Sequence, residues 1–122
     1  WFYAQTDLAL DPFPYCGGVT TLEALWMGVP VISLKSKDHA HRAVGASILS
    51  VLDLPELIAD SREDYLAKTV ALAQNSERLQ AYRLLLRPRL ASSPICDGPL
   101  FAREVEAHLH RLWQERVGTF PS

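Results

Sequence analysis

Apolar residues come first in short runs and later at helical spacing along this chain. Leu8-Ala9-Leu10 ends in Asp11, and Val29-Pro30-Val31-Ile32-Ser33-Leu34 reads as a buried strand with a proline at its start. Between them, Asp11-Pro12-Phe13-Pro14-Tyr15 predicts an ordered loop, because two prolines remove donors and fix φ. Gly17-Gly18 then leads into a helix from Thr20 or Thr21 to Met27. Thr20-Thr21-Leu22-Glu23 fits a capping box, with Thr20 as the cap and Glu23 reaching back. Gly28 stands where a helix-terminating glycine belongs, and Pro30 prevents continuation. Strand, loop, helix and strand in this order predict two parallel strands joined by a right-handed crossover.

The rest of the chain reads as helical. A polar turn at Lys35-Ser36-Lys37-Asp38 precedes a helix over Ala40 to Leu52, and Leu54 to Ala59 predicts a short helical turn. Ser61 opens a helix to Gln74, with Asp64 in the capping-box position. Ser76 caps another, with Leu79, Tyr82, Leu85 and Leu86 on its apolar side and Pro88 as its end or kink. A connector from Ala91 to Pro99 leads to a last helix, Leu100 to Val117, closed by Gly118. Phe101, Val105, His108, Leu109 and Leu112 repeat at helical spacing there.

Two parallel strands do not make a stable sheet, and three or more are normally needed. A ligand site at the carboxyl end of a strand also presupposes a wider doubly wound sheet. The expectation is an α/β chain that forms the C-terminal part of a larger domain, with further strands preceding Trp1.

Composition narrows the function classes. The chain has 122 residues, 48% of them hydrophobic, and a net charge of −2. That balance makes no broad electrostatic case for nucleic acid or an anionic membrane. No apolar run approaches the roughly 20 residues that span a bilayer. Cys16 and Cys96 form no CxxC and no zinc spacing, so the ordinary reading is two reduced thiols of a cytoplasmic protein. There is no Asp-x-Asp metal motif, since Asp7 and Asp11 are four apart.

The chemistry with most promise lies at Gly17 to Thr21. Free backbone N–H groups and two threonine hydroxyls at a helix mouth suit a phosphate group. The plainer alternative is that the glycines only make a turn and that Thr20 and Glu23 only cap a helix.

Residues 10 to 34, Leu-Asp-Pro-Phe-Pro-Tyr-Cys-Gly-Gly-Val-Thr-Thr-Leu-Glu-Ala-Leu-Trp-Met-Gly-Val-Pro-Val-Ile-Ser-Leu, closely resemble the bacterial SPINDLY-like relatives of protein O-linked N-acetylglucosamine transferase. The resemblance continues through His41 to Ser47, Leu57 to Ala59, Leu86 to Leu90 and Ser93-Pro94, and reaches Phe101, Glu104, Glu106 and Trp113. It implies a GT-B glycosyltransferase, usually fused to tetratricopeptide repeats, of which this chain is the C-terminal portion of the Rossmann-like nucleotide-sugar-binding domain. It also implies UDP-sugar as donor, inverting transfer to a protein Ser or Thr, no metal, and a cytoplasmic enzyme. Gly17 and Gly18 would then let backbone approach the diphosphate, with Val19, Thr20 and Thr21 beside it and Glu23 near the ribose. Cys16 stands where the family pattern has Asn, Val19 where it has Thr, Glu23 where it has Asp, and Ser36 where it has Gly. No catalytic residue is expected in this chain, since the acceptor-side groups would lie upstream, together with the repeats.

Other residues carry less. Arg42 either helps position the loop or nucleotide or makes a surface ion pair. His39 and His41 make an incomplete metal set. His108 and His110 read as one core-edge and one solvent histidine, Trp26 and Trp113 as core residues, and Arg83, Arg87 and Arg89 as a solvated face. A rival function class remains: a non-catalytic remnant or interaction module whose helical tail docks onto a partner.

Overall fold

A computed structural model describes residues 2–36 and 43–117. Among them are three parallel strands in the order β1 (Ala9–Leu10), β2 (Val31–Leu34), β3 (Ile58–Ala59). Helix α1 (Val19–Trp26) connects β1 to β2, and α2 (Val44–Val51) lies between β2 and β3. Three further helices follow: α3 (Arg62–Ala73), α4 (Ser76–Ala91) and α5 (Gly98–Val117). The α/β class and the parallel pairing are as expected from the sequence. The third strand corrects it, because the expected helical turn at 54–59 is one 3₁₀ turn, Pro55–Leu57, followed by β3. Two residues are too few to show a period of 2.

The core forms where α1, α2, α3 and α4 meet β2. Leu25, Leu49 and Leu86 are fully buried there, with Val29, Ile32, Leu52, Leu54 and Leu57. Each such leucine stabilises the fold by about 1.5–3 kcal/mol relative to exposure. Helix α3 starts as the sequence predicts, with the Ser61 side chain accepting from the Asp64 N–H at 3.1 Å. A backbone hydrogen bond from Asp60 holds the Asp64 carboxyl below its usual range, with Lys68 adding to it. Helix α4 departs in two ways. Its cap is Asn75, not Ser76. It also continues past Pro88 to Ala91 rather than ending there, with Leu86 and Leu90 buried on both sides of the proline. Helix α5 buries no residue, so Trp113 and the expected core-edge histidine are exposed.

Arg83, Arg87 and Arg89, three of the four arginines of α4, are tethers rather than a solvated face. Arg83 donates to the Tyr3 carbonyl at 3.1 Å and the Thr6 carbonyl at 2.7 Å, fixing the segment that leads into β1. Arg89 donates to the backbone and side chain of Asp53, a residue held at φ 51° just after α2. Arg87 stacks its guanidinium over Trp26, 4.9 Å from the ring centre.

Gly28 ends α1 at φ +76°, and a Cβ there would lie 2.6 Å from the Arg83 carbonyl oxygen of α4. Both the backbone conformation and the helix contact require glycine. Gly28→Ala is expected to lower unfolding free energy by about 2 kcal/mol or more, measured by urea denaturation.

Tyr82 packs in the core and donates its hydroxyl to Glu56 at 2.7 Å. Burial, then the Glu56 hydrogen bond, pushes its pKa up to about 12. The unfolded chain releases this proton near pH 10. The native state therefore holds the proton more tightly, and stability falls as pH rises from about 10 toward 12. Thermal melts over this range should show that fall, and Tyr82→Phe should flatten it in part, since burial raises Tyr65 as well.

Candidate functional site

The glycine turn delivers the chain into α1 one or two residues earlier than expected. Gly18 is the N-cap, at φ −125° and ψ −79°, and no side chain caps the helix. Thr20 therefore lies inside the first turn, so the capping box with Glu23 does not form. The N–H groups of that turn have no intrahelical partner, as at any helix start. Thr20 is exposed at the mouth, while Thr21 is buried beneath it. Gly17, Gly18, Val19, Thr20 and Thr21 thus surround one helix mouth, and Glu23 sits one turn further along, exposed.

The two glycines differ in what they do. A Cβ on Gly17 would lie 2.7 Å from the hydroxyl oxygens of both Thr20 and Thr21, and 3.1 Å from Oδ1 of Asp11. Gly17 is therefore glycine for packing. A Cβ on Gly18 would meet only Cγ1 of Val44, at 3.6 Å, an ordinary contact. Its φ is negative as well, so position 18 is not held in the left-handed region that favours glycine.

Behind the mouth lies a polar group that sequence reasoning missed. Asp11, at 3% exposure, accepts from the Gly17 N–H at 2.7 Å and from the Ser33 hydroxyl at 2.6 Å. Its carbonyl accepts from the Tyr65 hydroxyl of α3 at 2.9 Å. Burial, and then the nearby Asp11, raise the Tyr65 pKa above its ordinary value. Tyr65 also meets Phe13 edge to face at 5.5 Å, and Arg62 covers the other side of that ring. These contacts pin the proline loop to the start of α3. The available sequence signal was Ser33, a hydroxyl inside an apolar strand.

One cavity runs along α1 and another lies beside the proline loop. The larger, about 620 Å³ and mostly apolar, follows the outer side of α1. Val19, Glu23 and Trp26 line one wall, and Tyr3 and Ile95 line the other. Trp26 is thus a cavity wall at 38% exposure rather than a core residue. A smaller one, about 140 Å³, opens at the carboxyl end of β2 between the proline loop, Lys35, Ser36 and Arg62. His108 and His110 are both exposed on α5. Among the described residues no three His, Cys, Asp or Glu side chains cluster as a metal site. None of the described helices is long and apolar enough to cross a membrane. Arg42, His39, His41 and Gly118 lie outside the described residues.

Residues 4–105 match the sequence profile of glycosyl transferase family 41. The chain belongs to that family. It is 41% identical over 98% of its length to a protein of Eustoma exaltatum subsp. russellianum named probable UDP-N-acetylglucosamine–peptide N-acetylglucosaminyltransferase SPINDLY, of which it covers 13%. A Caenorhabditis elegans UDP-N-acetylglucosamine–peptide N-acetylglucosaminyltransferase is 30% identical over 94% of the chain, which spans 10% of it. Among solved structures, a mutant O-GlcNAc transferase of Thermobaculum terrenum superposes with a TM-score of 0.84 at 35% identity. That superposition covers 93% of this chain and 22% of the other. The family-41 chain described here therefore spans about an eighth of the length of these curated relatives.

The fold places the two cysteines of the chain in different settings. Cys16 is buried just before Gly17, Cys96 is exposed, and neither forms a disulfide. A thiol reagent should modify one cysteine per chain quickly, Cys96 by peptide mapping, and reach Cys16 only on unfolding. Equal rates at both would contradict the packing of the glycine turn.

Proposed function

We propose that this chain is the donor-binding part of an inverting glycosyltransferase that moves a sugar from a UDP-sugar to protein Ser or Thr. N-acetylglucosamine is the sugar of choice, because relatives at 30–41% identity are named for it. On this reading, residues 1–122 are part of the C-terminal catalytic domain of a cytoplasmic GT-B enzyme. Acceptor-side groups and tetratricopeptide repeats would be supplied by a longer protein.

One observation carries the site assignment. Gly18 leaves space at the mouth of α1 that neither a left-handed backbone nor neighbouring atoms require. A bare backbone at a helix mouth lets a diphosphate come within hydrogen-bond reach of the N–H groups. When the sugar bond breaks, negative charge grows on the departing UDP. N–H groups and the Thr20 hydroxyl aimed there would stabilise the transition state more than the ground state. Thr21, being buried, serves the turn and reaches the ligand through its N–H. Val19 offers only its N–H. Glu23 lines the apolar cavity one turn away, which keeps its carboxyl off the diphosphate and suits it to ribose hydroxyls.

A second reading, an interaction module, draws on α5, whose Phe101, Leu109, Leu112 and Trp113 are each more than half exposed. Nucleotide binding separates the two. Millimolar UDP should shift the amide resonances of Gly17 to Thr21 in ¹⁵N-labelled chain. Gly18→Leu should weaken binding about tenfold or more with the fold intact, and Thr20→Val about threefold to tenfold, by loss of a charge-assisted hydrogen bond. GDP and ADP in the same titration test the base. Unmoved resonances at Gly17 to Thr21 would remove the donor-site assignment and favour the module.

A further inference from the structure

We infer that Asp11 is the positioning residue of the donor site, which sets the helix mouth from behind without touching the ligand. The inference rests on the donor-site reading above. Asp11 leaves β1 into a loop that two prolines keep out of regular structure. Six residues later the Gly17 N–H returns to Oδ1 at 2.7 Å and closes that loop. Gly17 is in turn wedged against both threonine hydroxyls, at the 2.7 Å a Cβ there would have from each. The position of Oδ1 thus passes through Gly17 to the first turn of α1.

Asp11 is itself held from several sides. Ser33 of β2 donates to Oδ2 at 2.6 Å, and Tyr65 of α3 donates to the carbonyl at 2.9 Å. Gly45 of α2 comes so close that a Cβ there would lie 2.0 Å from Oδ2 and 2.5 Å from the Ser33 hydroxyl. Two neighbouring elements, β2 and α2, therefore leave the carboxyl one position, while α3 holds the backbone of the same residue. A plain loop closure would need only one bond to one oxygen. This arrangement fixes the carboxyl against β2 and α2 and hands the remaining oxygen to the glycine turn. Preorganised donors of this kind bind a diphosphate without the cost of ordering the loop on each encounter. At 3% exposure Asp11 does not reach the mouth itself, so its effect passes through Gly17.

Asp11→Ala and Asp11→Asn, compared in the full chain by UDP titration and amide spectra, test this. Asparagine keeps an oxygen for the Gly17 N–H, whereas alanine keeps none. Asp11→Ala should weaken UDP binding at least tenfold and move the Gly17 and Gly18 resonances. Asp11→Asn should restore affinity to within about threefold. If Asp11→Ala does not fold, Ser33→Ala loosens the carboxyl from its far side and Tyr65→Phe frees the Asp11 backbone carbonyl, and each should weaken UDP about threefold with Gly17 displaced. Folded variants that bind UDP as the unaltered chain does would overturn the inference and leave the donor site standing. Absence of UDP binding in the unaltered chain would instead remove the donor-site reading on which it rests.

Discussion

A carboxyl group placed among apolar strands and helices must be hydrogen-bonded, or its burial costs several kcal/mol. In this chain that requirement shapes the region around the candidate site. Asp11 takes its donors from β2 and the glycine turn, and its carbonyl takes one from α3. Gly45 is bare because the same group occupies the space a side chain would fill. The proline loop, the start of α1 and the packing of α2 are therefore solutions to one local problem. Had Asp11 been apolar, the carboxylate bond that holds Gly17 against the two threonines would be lost.

A second tie works at the opposite end of α1. Gly28 turns the chain at positive φ so that α4 can approach through the Arg83 backbone. Arg83 itself reaches back to the segment before β1. Helix α1 is thus held at its mouth by Asp11 and at its close by α4, with Leu25 buried between. That double hold gives a short helix, only eight residues long, a defined direction relative to the sheet. A bound anion at its mouth would meet N–H groups already in place.

Much of this was legible in the sequence, and the misses have physical reasons. The strand, glycine turn, helix and second strand were readable because prolines, glycines and apolar runs each act locally. The Ser61 cap of α3 was readable for the same reason. The cap of α1 was misread, since Gly18 competes with Thr20 and only the turn geometry decides between them. Strand β3 was hidden because two residues carry no period. Pro88 does not end α4, because buried leucines on either side outweigh its missing N–H. The arginines looked like a solvated face because charge alone does not reveal which carbonyls lie within reach. Asp11 passed as a strand-end residue because its partners stand 6, 22 and 54 positions away.

What the sequence determined by itself was the α/β class, the order of the main elements around the glycine turn and the membership of a glycosyltransferase family. These depend on local backbone preferences and on motifs read within a few residues. Tertiary structure alone decided which glycine packs and which leaves space, which threonine is buried, and which carboxyl stands behind the mouth. Those outcomes depend on distances of a few tenths of an ångström between residues far apart in the chain. Hydrogen bonds and close packing act at that range, and one-dimensional order does not record it.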